Sequence, residues 1–333
     1  MTTILLTHAP QALANYYGDE ALAGLRALAD VRLNETGAPL STDGLIAAAA
    51  GVEIIVSDRI TEAPADVFAR LPQLAAFVRC AVDIRNVDVA TASAHGVLVT
   101  HASPGFVQSV AELTVGMMID LARGLTDATM TYRDGGTPTA VMGRQLAGAR
   151  LGVIGYGAIG RYLAGLGRAL GMPVLVHDPH VTVTDAELEQ VALPDLLARS
   201  DFVVCLAVAN AETENLIDAA AFAAMRASAY FINVSRGNLV DEAALLAALD
   251  SGGIAGAALD VGRAPDQMPS PALAAHPRVI ATPHIGGLVP EAIRHQAMET
   301  VAQVGAILRG EKPAGAVNFE AAERLTSAFS NAT

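Results

Sequence analysis

One stretch constrains this chain more than any other: Leu151-Gly152-Val153-Ile154-Gly155-Tyr156-Gly157-Ala158-Ile159-Gly160. A short apolar run meets three glycines spaced G-x-G-x-x-G, so the backbone must leave a strand, turn sharply and enter a helix within a few residues. That is the opening of a βαβ unit, which commits the chain to a parallel sheet covered by helices on both faces. The same alternation recurs along the sequence. A first set of apolar runs spans residues 3–7, 52–57, 74–78 and 97–100, and a second set spans residues 150–155, 173–178, 201–207, 229–234, 254–260 and 278–282. Four strands in the first set and six in the second predict two Rossmann-like, doubly wound parallel-sheet α/β domains with an active site in the cleft between them.

The 333 residues are long enough for about two domains of ordinary size. The first is expected to be discontinuous, residues 1–102 with 290–333, because the tail after Lys312 reads as returning to it; the second covers residues 103–289. Residues 107–124 form an almost continuously apolar stretch read as a buried helix between the lobes, residues 132–143 read as a loop, and residues 290–308 read as a long helix.

Composition removes several function classes. With 21 Lys+Arg against 34 Asp+Glu and no basic run, the chain lacks the clustered positive surface a nucleic-acid binder needs. Cys80 and Cys205 are too few for a disulfide framework or a metal cluster and are read as buried free thiols, and no metal site is expected. No signal segment and no apolar run long enough to span a membrane is visible, so the protein is expected to be cytoplasmic and to have no membrane partner.

The glycine loop has its own chemistry. Gly155 permits the tight turn, Gly157 lets the backbone approach a pyrophosphate, Gly160 lets the helix pack on the strand, and the amides of Ala158 and Ile159 are left to face the anion. The next strand ends in Asp178, 18 residues after Gly160, where a carboxylate would accept both hydroxyls of an adenine ribose. A 2′-phosphate would meet like charge there, and no Arg or Lys follows in Pro179-His180-Val181, so NAD is expected over NADP. His177, Asp178 and His180 do not read as a metal cluster, because adjacent strand residues point to opposite faces.

Three later stretches complete a pattern: Asn233-Val234-Ser235-Arg236-Gly237-Asn238-Leu239-Val240-Asp241-Glu242, Gly256-Ala257-Ala258-Leu259-Asp260-Val261 and Thr282-Pro283-His284-Ile285-Gly286-Gly287. With the glycine loop, Asn86-Val87-Asp88 and Val110-Ala111-Glu112, in this order and spacing, the sequence from about Leu74 to Gly287 resembles the D-isomer-specific 2-hydroxyacid dehydrogenases. The resemblance implies that Arg236 clamps a substrate carboxylate, His284 is the acid/base, and Asp260 contacts the nicotinamide carboxamide. It further implies that backbone amides near Val82 and Asp83 complete the carboxylate pocket, that Val208, Val234 and Ser235 line the cofactor, and that the protein is a homodimer through the stretch at residues 107–124 and its loop. Arg236 and His284 also suit these roles chemically: a planar guanidinium matches a carboxylate bidentately, and imidazole exchanges protons near neutral pH.

Two departures stand out. The family usually carries a glutamate shortly after Asp260-Val261 as the histidine's partner, but here the chain reads Gly262-Arg263-Ala264-Pro265-Asp266-Gln267. A one-residue shift brings Asp266 into the glutamate's place, so Asp266 is assigned as the partner of His284. The usual glycine-rich loop is replaced by Arg79-Cys80-Ala81-Val82-Asp83-Ile84-Arg85, where Arg79 and Arg85 are either solvated or meet a second anionic group. The expected activity is hydride transfer between NAD and a small anionic 2-oxo or 2-hydroxy acid of the D series, of the hydroxypyruvate or glyoxylate type. The alternatives are a phosphorylated or inorganic anion, such as 3-phosphoglycerate or phosphite, and, from another class, an NAD(H)-sensing corepressor-like module.

Overall fold

A computed structural model describes residues 2–329. The chain divides into two compact units, Met1–Gly105 with Pro290–Thr333, and Phe106–Val289. Residues 330–333, which the sequence assigns to the discontinuous first domain, lie outside the described residues.

The first unit is a five-stranded parallel sheet of β1 (Thr3–Leu6), β2 (Asp30–Leu33), β3 (Ile54–Ser57), β4 (Ala76–Arg79) and β5 (Leu98–His101), in the order β2-β1-β3-β4-β5. Successive strand residues point to opposite faces, so each buried strand feeds two cores. Ile4, Leu6, Ile54, Val56, Ala76 and Val78 pack with the helices Asp19–Leu28 and Pro290–Leu308, while Leu5, Ile55, Phe77 and Val99 pack with Thr42–Ala48 and Ala65–Arg70. The sequence reading found four of the five strands. It missed β2, Asp-Val-Arg-Leu, because an edge strand with alternately exposed, charged residues lacks the apolar run that marks the others. The chain after Lys312 does return to this sheet: Val317 N donates to Val99 O at 3.0 Å and Arg324 N to Gly96 O at 3.0 Å.

Arg79, read from sequence as solvated or ligand-facing, is neither. It is 0 % exposed and donates to Ser57 Oγ (2.9 Å), Thr61 O (2.9 Å), Asp58 O and Asn86 Oδ1, tying together the loops after β3 and β4. Burial pulls its guanidinium down to about 10, which leaves it charged at neutral pH. Arg85 instead stays exposed and pairs with Asp83 at 2.6 Å.

The second unit is a seven-stranded parallel sheet of β6 (Leu151–Ile154), β7 (Val174–His177), β8 (Glu189–Gln190), β9 (Phe202–Cys205), β10 (Tyr230–Asn233), β11 (Gly256–Leu259) and β12 (Val279–Ala281). Its order, β12-β11-β10-β9-β6-β7-β8, reverses direction next to β6, the switch point where open α/β sheets bind ligands. The seventh strand, β8, is two exposed residues and carries no apolar signal. The apolar stretch is a helix, Val107–Arg123, stopped by left-handed Gly124 at φ 63°. It buries Val110, Ala111, Thr114, Met117, Met118 and Ala122 within this unit, packing on the helix Ala158–Ala169 and on β10 and β11. A further helix, Leu125–Arg133, takes the first residues of the segment read as loop. Both thiols are buried and free, and burial pushes each up to about 12. Among the described residues no helix is long and apolar enough to cross a membrane, and no cluster of His, Cys, Asp and Glu could hold a metal ion.

His8, just beyond β1, is 2 % exposed, lies against the Tyr17 ring at 4.9 Å and leaves Nδ1 without a hydrogen-bond partner. Burial lowers its pKa from 6.5 to about 4, so the ring is neutral in the folded state near neutral pH. Because the folded value lies below the unfolded one, the stability this group contributes is present above pH 6.5 and is lost as pH falls through about 4, up to about 3 kcal/mol. The urea midpoint of the wild type is therefore expected to fall more steeply between these pH values than that of His8→Phe; parallel profiles for the two proteins would reject this assignment.

Candidate active site

The register of the second sheet sets the site. Ile154 pairs with His177 and with Cys205, Cys205 with Asn233, Asn233 with Leu259, and Leu259 with Ala281. Six strands therefore end on one row, and the loops that carry the candidate residues all leave the same edge of the sheet. Gly155 and Asp178 follow the row directly after β6 and β7, and Val208 lies three residues beyond it after β9. Val234, Ser235 and Arg236 follow β10, Asp260 follows β11, and His284 follows β12. Val82 and Asp83 lie just beyond the carboxyl end of β4, in the first unit.

The glycine loop fits a dinucleotide on steric grounds. Gly155 has φ 94°, and a Cβ there would sit 2.6 Å from Leu206 O; a Cβ at Gly160 would sit 2.2 Å from Gly155 O. These two glycines are demanded by the protein's own packing. A Cβ at Gly157 meets nothing within 4 Å, so the protein leaves that space open where a pyrophosphate would approach. Ala158 and Ile159 open the helix Ala158–Ala169, whose first-turn N–H groups have no partner within the helix and so remain available to an anion. Val208 is 76 % exposed, a large apolar side chain left uncovered beside the loop after β9. Asp178 stands half-buried, its oxygens accepting from Tyr156 N at 2.7 Å and His180 N at 2.9 Å, which fixes the carboxylate and leaves acceptor capacity for hydroxyl groups.

Arg236 owes its position to a turn held by its neighbours. Asn233, 1 % exposed, donates through Nδ2 to Arg236 O at 2.9 Å and accepts from Ser235 N at 3.1 Å, while Ser235 Oγ donates to Ala207 O at 2.7 Å. The turn is closed from the other side, since a Cβ at Gly237 would lie 2.1 Å from Gly262 O. Val234 is buried beneath this turn and Arg236 itself is half-buried.

Asp260 is 2 % exposed and organises the histidine loop. Its Oδ1 accepts from Thr282 Oγ1 at 2.6 Å and Ile285 N at 2.8 Å, and its Oδ2 from Gly286 N at 2.8 Å. Three donors straddling residue 284 hold His284 at φ 56°, a left-handed backbone that a non-glycine residue keeps only when its surroundings impose it. The atom of Asp266 that faces the ring is a main-chain one: His284 Nδ1 lies 2.9 Å from Asp266 O. A carbonyl oxygen only accepts, so Nδ1 carries a proton and Nε2 is the nitrogen left for exchange.

The profile of the D-isomer specific 2-hydroxyacid dehydrogenase, NAD binding domain, matches residues 115–286. D-3-phosphoglycerate dehydrogenase of Rattus norvegicus is 36 % identical over 296 residues, 87 % of this chain and 55 % of that protein. The chain thus spans about half the length of that relative. A solved structure from Polaromonas sp. JS6 66, described as a D-isomer specific 2-hydroxyacid dehydrogenase, NAD-binding, superposes with a TM-score of 0.86 at 25 % identity, covering 95 % of this chain and 99 % of that one. The TT0316 protein of Thermus thermophilus superposes with a TM-score of 0.84 at 28 % identity, covering 95 % and 100 %.

Gly157→Ala separates ligand space from packing space. The thermal midpoint is expected to stay near that of the wild type, since the added methyl meets nothing, while NADH affinity by fluorescence titration falls about tenfold or more; unchanged affinity would show that the open space is not the cofactor's. The chain belongs to the D-isomer-specific 2-hydroxyacid dehydrogenase family, and its second unit is that family's NAD-binding domain.

Proposed function

We propose that the protein transfers hydride between NAD and a small D-2-hydroxy acid, reducing the matching 2-oxo acid in the reverse direction. The observation that carries the reading is that Arg236 and His284 each stand three residues beyond the row on which the glycine loop begins, so carboxylate clamp, proton donor and cofactor cradle share one sheet edge. Bound NADH supplies the hydride. Arg236 grips the substrate carboxylate and polarises the neighbouring carbonyl, and the backbone amides at Val82 and Asp83 are assigned to the same carboxylate. His284, protonated at both nitrogens, delivers the Nε2 proton to the carbonyl oxygen and is left as the Nδ1–H tautomer that Asp266 O already accepts from. In the oxidative direction Nε2 takes the hydroxyl proton. Asp178 receives the adenine ribose hydroxyls, Val208, Val234 and Ser235 line the cofactor, and the remaining acceptor capacity of Asp260 meets the carboxamide. We assign residues 1–102 with 290–333 to substrate binding and 103–289 to the cofactor.

The similarity to D-3-phosphoglycerate dehydrogenase favours a second substrate, a 2-hydroxy acid that carries a phosphate. Loss of NADH absorbance with glyoxylate, hydroxypyruvate, pyruvate, phenylpyruvate and 2-oxoglutarate, set against NAD reduction with 3-phosphoglycerate and phosphite, separates the two. Turnover of at least one acid is expected; tight NADH binding without turnover of any would instead favour a cofactor-sensing module. With an active acid in hand, Arg236→Ala should lower kcat/KM about 100-fold or more and leave NADH affinity within about twofold, as expected for losing a charge-assisted pair to the substrate alone. Equal kcat/KM for variant and wild type would remove Arg236 from the reaction.

The protein is proposed to be a homodimer through the helix Val107–Arg123 and the segment after it. That region exposes Ile119, Leu125, Met130 and Tyr132, with Val141 84 % and Met142 96 % uncovered, large apolar side chains that a subunit contact would cover. Light scattering should give twice the 34.2 kDa chain mass for the wild type and a monomer for Met142→Asp; a monomeric wild type would refute the assignment.

A further inference from the structure

The histidine's acceptor lies on a loop that departs from the family pattern, and that loop is built against local backbone preference. Asp266 has φ 55° and Gln267 φ 57°, and Gln267 Oε1 is buried without a hydrogen-bond partner. Among the described residues the non-glycine positions with positive φ are Asn215, Asp266, Gln267 and His284. The last three make the His284–Asp266 contact or adjoin it. The first belongs to the same network through a single side chain, Arg263.

Arg263 fastens the loop at many points. Its Nη2 donates to Asn215 Oδ1 at 2.6 Å, Asn238 O at 3.0 Å and Val240 O at 3.2 Å, its Nε to Val240 O at 3.3 Å, and its guanidinium pairs with Glu214 at 2.9 Å. Its backbone N donates to Glu242 Oε1 at 3.0 Å. Beyond Arg263 the loop closes on itself, with Gly262 N donating to Gln267 O at 2.8 Å and Ala264 N to Met268 O at 3.0 Å. These bonds fix the direction of the Asp266 carbonyl. They also fix the Gly262 carbonyl against Gly237, the residue directly after Arg236.

We propose that Arg263 is a positioning residue for the reaction: by clasping the strained 262–268 loop to the turn after Arg236, it holds the Asp266 carbonyl where it selects the Nδ1–H tautomer of His284. A planar guanidinium with five donors suits this task, since the acceptors it meets come from two separate segments, 214–215 and 238–240, and lysine would reach them as a point charge only. Left-handed non-glycine residues persist only where the surroundings over-determine them, and Arg263 supplies that determination at both ends of the network. The proposal rests on the dehydrogenase reading for its kinetic consequence but not for its structural one.

The test compares wild type with Arg263→Met by long-range proton–nitrogen NMR of the imidazoles, with the His284 signal identified by its loss in His284→Gln. The wild type is expected to show Nδ1 protonated and hydrogen-bonded, and Arg263→Met a mixture of tautomers. With an active acid, kcat should fall about ten- to hundredfold while NADH affinity stays within about twofold, because the glycine loop is untouched. An unchanged His284 signature, or a fall in NADH affinity matching the fall in kcat, would overturn the proposal in favour of a general structural role. If Arg263→Met does not fold, Glu214→Gln and Asn215→Ala each remove one contact and should move the signature in the same direction; no movement in either would overturn it too. A tautomer change in a protein that turns over no acid would uphold the clasp and reject the dehydrogenase reading.

Discussion

Six parallel strands ending on one row are the constraint on which the rest of the structure depends. Parallel pairing in register makes Ile154, His177, Cys205, Asn233, Leu259 and Ala281 neighbours across the sheet, so the next residues of all six strands emerge together. Beneath them β6, β9 and β11 are buried along their whole length, and a one-residue shift would turn each side chain to the opposite face. Chemistry can then be written into short loops: glycines after β6, an acid after β7, an arginine after β10 and a histidine after β12.

What holds these loops is a small set of polar groups whose hydrogen bonds run within the protein. Asn233 shapes the arginine turn, Asp260 gathers three donors around His284, and Arg263 ties the carbonyl facing that histidine to the arginine turn. Asn233 and Asp260 are buried and hydrogen-bonded, as buried polar groups must be, whereas Arg263 works from the surface through several bonds at once. The left-handed residues cluster here because these bonds impose a backbone that the local sequence would not choose. The first unit shows the same economy at Arg79, a buried cation whose partners are carbonyl and side-chain oxygens of two loops.

Much of this was legible in the sequence because it derives from periodicity and glycine. The buried strands announce themselves as apolar runs, the helix Pro290–Leu308 runs between the residues read from sequence, and Gly155 and Gly160 stand where any Cβ would strike backbone. Edge strands β2 and β8 escaped notice since exposed pairing leaves no hydrophobic trace. Arg79 was misread because nothing local distinguishes an arginine facing water from one facing carbonyl oxygens of another loop; that is settled by contacts 18 to 22 residues away. Asp266 was found for its carboxylate, whereas the contact to the histidine comes from its carbonyl, and no sequence pattern reports a carbonyl's direction.

The central claim is that these loops bring a nicotinamide hydride and a histidine proton to the two ends of one carbonyl. It is tested most directly by following deuterium from NADH labelled at the transferable position during reduction of any 2-oxo acid that the protein turns over, with the product resolved into its enantiomers. The account predicts one deuterium on the former carbonyl carbon, in the D product only. Deuterium in the L product, or a product formed without the label, would contradict it.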